Sequence, residues 1–96
     1  MKLYFFAKFH ITEGREQDAE KAMRLVLGLS RKEPGCIYIR AFHSTSDSQV
    51  FLIHSCWADE QAFDEHANLP HTIAFLRAME GLVDQPAEMN RTLEID

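Results

Sequence analysis

Residues 33–57, EPGCIYIRAFHSTSDSQVFLIHSCW, carry the chain out of a helix and into a hairpin, and the rest of the architecture is arranged around them. Pro34 cannot continue a helix and Gly35 tolerates positive φ, so Glu33-Pro34-Gly35 is a stop followed by a turn. Two runs rich in aromatic and β-branched residues follow, Cys36 to His43 and Gln49 to Trp57, separated by the polar Ser44 to Ser48 segment. Such runs about a short polar loop predict an antiparallel hairpin. Pairing across the loop puts Cys36, Tyr38, Arg40 and Phe42 on one face with Val50, Leu52, His54 and Cys56. Ile37, Ile39, Ala41 and His43 then share the other face with Phe51, Ile53, Ser55 and Trp57.

Upstream, Leu3, Phe5, Ala7, Phe9 and Ile11 alternate with Tyr4, Phe6, Lys8 and His10, a period-2 strand whose second face also starts apolar. Both of its faces are expected to meet protein. Thr12-Glu13-Gly14 punctuates, and Ala19, Ala22, Met23, Val26, Leu27 and Leu29 then recur at helical spacing, predicting a helix that ends near Arg31 or Lys32. Downstream of the hairpin, Asp59 starts a helix carrying Ala62, Phe63, His66 and Ala67 on one side. Pro70 opens a second helical piece with an Ile73, Leu76, Met79, Leu82 and Val83 stripe, ending near Gly81 to Asp84. After Gln85-Pro86, Glu88 to Ile95 is the last predicted strand, with Met89, Arg91, Leu93 and Ile95 on one side. The order β-α-β-β-α-β with antiparallel pairing is the ferredoxin-like α+β split motif.

No repeat, low-complexity segment or linker divides the 96 residues, so a single domain, 1–96, is expected. A net charge of -5, with no block of Lys and Arg able to track phosphates, argues against nucleic acid as a partner. No window approaches the ~18–20 apolar residues of a membrane span. The opening MKLYFFAKFH has too short an apolar run for a signal segment and is interrupted by Lys8, so a cytoplasmic location is expected. Cys36 and Cys56, the two cysteines, make no secreted-type disulfide framework.

The segments EPGCIYIRAF and FLIHSCWADEQAFDEHANLPHTIAFL resemble the antibiotic biosynthesis monooxygenase family of dimeric ferredoxin-like α+β barrels. The resemblance covers nearly the whole chain. Its most specific parts are Glu33-Pro34-Gly35-Cys36, Trp57 at the end of a strand, and the pattern of Phe63, His66, Pro70 and His71. It implies a homodimer, a dimeric α/β barrel made by sheet-to-sheet packing, with a pocket between each sheet and its own helices. The family includes cofactor-free oxygenases of anthrones and quinols, haem-degrading members and isomerases of small phosphorylated sugars, so membership alone does not choose a reaction. Haem-degrading relatives use an Asn, a Trp and a His where this chain has Ala7, His66 and Leu76, which disfavours haem. Two other positions depart from the family: Ser55 replaces a common Glu, and Leu69 replaces the Ser or Thr that precedes the proline.

Cofactor-free oxygenation needs a base and an apolar pocket, because oxygen must take an electron from a deprotonated, electron-rich aromatic. His66, on the inward stripe with Phe63, is the expected catalytic base; the alternative is a half-buried histidine satisfied by a backbone carbonyl. His71, at the helix start after Pro70, is expected to serve substrate binding or capping. Asn68 is a local cap or a substrate contact, Phe63 belongs to the inward apolar stripe that meets substrate, and Trp57 is either a core or interface aromatic or a pocket ring that stacks on a planar substrate. Tyr38, on the face with Arg40 and His54, reaches either substrate or the dimer interface. A zinc site from His54, Cys56 and Cys36 fits no metal spacing, and His66 and His71, five apart across a proline, do not form the usual helical ligand pair. No GxGxxG, phosphate loop or GxSxG elbow is present. The expected partners are a small aromatic substrate, oxygen and a second copy of the chain, with no cofactor and no metal. An enediol isomerase or a non-catalytic dimeric ligand-binding module are the alternative functions.

Overall fold

The computed structural model describes all residues from Met1 to Asp96. Strand β1 (Leu3–His10) leads to helix α1 (Glu16–Ser30), the hairpin β2 (Cys36–His43) and β3 (Val50–Trp57), helices α2 (Glu60–Ala67) and α3 (Pro70–Glu80), and strand β4 (Glu88–Thr92). The strands form one antiparallel sheet in the order β2-β3-β1-β4. This is the expected ferredoxin-like arrangement, with the second helical segment divided in two. No helix is long and apolar enough to cross a membrane.

The β1–β3 register opposes Phe5 to Ser55, Ala7 to Ile53 and Phe9 to Phe51. Because side chains alternate, these residues and Ile39 of β2 turn to one face, where Met23, Val26 and Leu27 of α1 and Phe75 and Met79 of α3 cover them as one buried cluster. A smaller cluster of Leu3, Trp57 and Phe63 closes the end of the sheet under α2. Tyr4, Phe6 and Lys8 fall on the opposite face with His54, Leu52 and Phe42, and no helix covers it.

Several local features differ from the sequence expectation. A bulge lies between Cys36 and Tyr38, so Cys36 opposes Trp57 on the helix-covered side while Tyr38 opposes Cys56 on the bare one. An extra residue reverses alternation, which separates Cys36 from the His54 and Cys56 face. Gly35 does not take positive φ; Gly14 alone does, at 91°. Instead, a Cβ on Gly35 would run into the Cβ of Ala62, so glycine lets the turn lie against α2. Strand β3 starts at Val50, and Gln49 just before it donates from its side-chain Nε2 to the Ile11 carbonyl at 2.9 Å. Strand β4 stops at Thr92 rather than Ile95, because Thr92 opposes Tyr4 and β1 begins one residue earlier, at Leu3. Leu93 and Ile95 are left exposed.

Helix starts follow local chemistry. Asp59 accepts a hydrogen bond from the Ala62 amide at 2.8 Å and caps α2, an interaction worth about 1 kcal/mol. Leu69 has no side chain able to cap α3, and Pro70 at the first helical position has no amide hydrogen to satisfy.

Candidate active site

Between the sheet and the helices lies a cavity of about 360 Å³, with eleven of its fifteen lining residues hydrophobic. Phe5, Phe9, Ile53, Phe63 and Phe75 supply much of the wall, and His66, Thr72, Ser55 and Arg91 its polar points. Phe63 stacks on Phe5 at 4.6 Å between centroids and lies 4.9 Å beneath the Arg91 guanidinium. That guanidinium is also paired with Asp64 at 3.0 Å, which leaves the cavity little free positive charge.

His66 is 7% exposed and reaches the cavity from α2. Its Nδ1 lies 2.8 Å from Oε2 of Glu33. A carboxylate only accepts, so the Nδ1–H donates and the neutral ring carries its lone pair on Nε2. Nε2 has no protein partner. Trp57 packs against the ring at 4.2 Å between centroids, and its indole N–H donates to the Ser55 hydroxyl at 3.0 Å. A fully buried tryptophan with a satisfied N–H is a firm backing for the imidazole. Burial lowers the His66 pKa below its ordinary value, while the hydrogen bond and charge of Glu33 pull it back up. The neutral, base-competent form is thereby favoured near neutral pH.

Glu33 is the residue that sequence reasoning missed. It stands in the turn after α1, where its carbonyl accepts from the Cys36 amide at 3.1 Å. The same Oε2 also accepts from His71 Nε2 at 2.7 Å. The break at Asn68-Leu69-Pro70 re-aims the chain, so histidines five apart, which would diverge on one continuous helix, converge on a single carboxylate. Thr72 Oγ1, 3.3 Å from His66 Nδ1, completes the cluster.

The other sequence candidates divide. Phe63 lines the cavity with His66. Trp57 is fully buried behind His66 and does not line the cavity, a core position. His71 also stands outside the cavity, on the far side of Glu33. Asn68 is exposed and donates to the Asp64 carbonyl at 2.8 Å, so its side chain ties down the end of α2 and does not cap α3. Tyr38 lies on the bare face, its hydroxyl 3.2 Å from His54 Nε2 and its ring under Arg40. Ala7 and Leu76, where the haem-degrading pattern would need other side chains, both line the cavity.

The architecture is shared with solved structures of distant sequence. Rv0793 of Mycobacterium tuberculosis superposes with a TM-score of 0.94 at 17% identity, covering 100% of this chain and 97% of that one. PA3566 of Pseudomonas aeruginosa gives 0.89 at 24% identity, with 99% and 95% covered. A structure described as an antibiotic biosynthesis monooxygenase gives 0.92 at 19% identity, with 98% and 99% covered. No functionally curated protein matches the chain. Residues 3–78, which contain β1, the hairpin, Glu33, His66 and His71, match the sequence model of the antibiotic biosynthesis monooxygenase family. With most of its length in that match and the fold common to these structures, the chain belongs to the antibiotic biosynthesis monooxygenase family.

Proposed function

We propose that the protein is a cofactor-independent monooxygenase that oxidises a small hydroxylated aromatic of the anthrone or quinol type with molecular oxygen. One observation carries the reading: a neutral imidazole with Nδ1–H held by Glu33 and Nε2 left to a largely apolar cavity. A cavity of about 360 Å³ suits a small ring system.

For an anthrone, the Nε2 lone pair takes the enolic proton, and the resulting anion gives one electron to oxygen. The substrate radical and superoxide combine in a new C–O bond, and the proton held on His66 returns to the peroxide. Loss of water then leaves a carbonyl. The oxidised carbon gives up two hydrogens, keeps one oxygen atom and releases the other as water, so no external reductant is required. A positioned base of this kind contributes on the order of 10²–10⁴ in rate.

An isomerase of a phosphorylated sugar would use the same base, but Arg91 is the only cation in the lining and is already paired with Asp64. The apolar wall favours the aromatic reading. Oxygen uptake with a panel of anthrones and quinols, in metal-free and flavin-free buffer, tests it. Wild type should consume oxygen above the uncatalysed background, and His66→Ala should lose roughly 10²–10⁴ of that rate. No uptake by wild type across the panel would contradict the proposal.

A further inference from the structure

We propose that Glu33, His66 and His71 form a binding site for one divalent transition-metal ion of the zinc class, and that the bound ion and base catalysis by His66 exclude each other. The three side chains each offer one ligand atom, and these atoms lie within 4.8 Å of one another. Glu33 Oε2 is the hub, 2.8 Å from His66 Nδ1 and 2.7 Å from His71 Nε2. A tetrahedral ion held at about 2.0–2.2 Å from each donor sets neighbouring donors roughly 3.3–3.6 Å apart. The two carboxylate–imidazole pairs therefore need to open by roughly 0.5–0.9 Å, and the two nitrogens, within 4.8 Å of each other, need to settle at the same spacing, adjustments within the reach of side-chain torsions.

Donor chemistry selects the ion. Two imidazoles and one carboxylate suit zinc and its first-row neighbours, whereas calcium and magnesium prefer all-oxygen shells and cuprous copper prefers sulfur. The three side chains are 9%, 11% and 20% exposed, so the ion's attraction to the carboxylate is weakly screened. They come from three separate places, the turn after α1, helix α2 and the first turn of α3, which pre-forms the site in the folded chain. Three protein donors leave a fourth position for water, beside the Thr72 hydroxyl.

Exclusion follows from the tautomers. Without metal, His66 carries its proton on Nδ1 and offers the Nε2 lone pair to the cavity. A metal on Nδ1 takes that lone pair, so the proton of the neutral ring moves to Nε2, which becomes a donor and can no longer accept the substrate proton. The ion lies on the Glu33 side of the ring, so it acts on the base through the tautomer and not by filling the space next to Nε2. Metal binding stands on the cluster alone; the inhibition it implies rests on the role proposed for His66.

The test uses the full chain stripped of metal. Titration with Co²⁺ followed by visible absorption, and with Zn²⁺ by calorimetry, should give one ion per chain. His71→Gln and Glu33→Gln, each verified as folded by circular dichroism, should weaken binding roughly tenfold or more. His10→Ala, which removes the separate surface cluster of His10 with Asp84 and Asp47, should leave it unchanged. Binding that is absent, or that responds to His10→Ala and not to the other two variants, overturns the site. Long-range ¹H–¹⁵N NMR of the histidine rings then reads the exclusion without any turnover. Zinc should move His66 Nε2 from the unprotonated to the protonated ¹⁵N range, and an Nε2 still unprotonated with zinc bound overturns it.

Discussion

At the residue scale the site depends on a pairing between side chains 33 residues apart. His66 is legible in the sequence because it follows Phe63 by three on an amphipathic stripe. Glu33 is not, since a carboxylate in a turn is normally solvated, and only the packing of that turn against α2 brings it to the imidazoles. The pairing makes a signed prediction. The base role proposed for His66 requires its neutral form, so kcat/KM should fall as pH decreases, with a midpoint below 6.5 because burial lowers the pKa. Glu33→Gln keeps an acceptor for Nδ1–H but removes the charge that favours imidazolium, so the midpoint should move further towards acid; a pH–rate profile checks this, and movement towards alkali contradicts it. The same shift couples to folding. A depressed folded-state pKa means that this contribution to stability is complete above pH 6.5 and is lost as pH falls from there through the folded pKa.

At the scale of elements, the helix, hairpin and helix-pair pattern could be read from hydrophobic periodicity, whereas the bulge after Cys36 could not. Strict alternation carries no mark of an extra residue, and Cys36 therefore changes face. Likewise Gly35 looked like a turn glycine, yet its role is close approach to Ala62, a contact between elements that no local pattern encodes. Gly35→Ala should cost about 1–3 kcal/mol by forcing the turn off α2. Ala62→Gly makes room at its own helix-propensity cost of about 1 kcal/mol. In urea denaturation the double variant should be more stable than the sum of the two single effects implies; strict additivity would mean that the two sites do not touch. Asp59→Ala, which removes the α2 cap, should lower stability by about 0.5–2 kcal/mol in the same assay.

On the scale of the whole molecule, the bare face of the sheet carries Phe6, Phe42 and Leu52, which are 46%, 49% and 36% exposed. The apolar second side of β1 was visible in the sequence, and a second copy of the chain packed sheet to sheet would cover it. Light scattering at micromolar concentration should give a mass near twice 11.1 kDa, and Phe42→Glu should shift it towards one chain; a wild-type mass of one chain contradicts the dimer. The chemistry is tested most directly by turnover of an active anthrone or quinol under ¹⁸O₂ in metal-free buffer, with products analysed by mass spectrometry. Wild type should give one ¹⁸O atom per product molecule, and His66→Ala almost no labelled product. Product without ¹⁸O, or labelling undiminished in His66→Ala, would contradict oxygenation by His66 base catalysis.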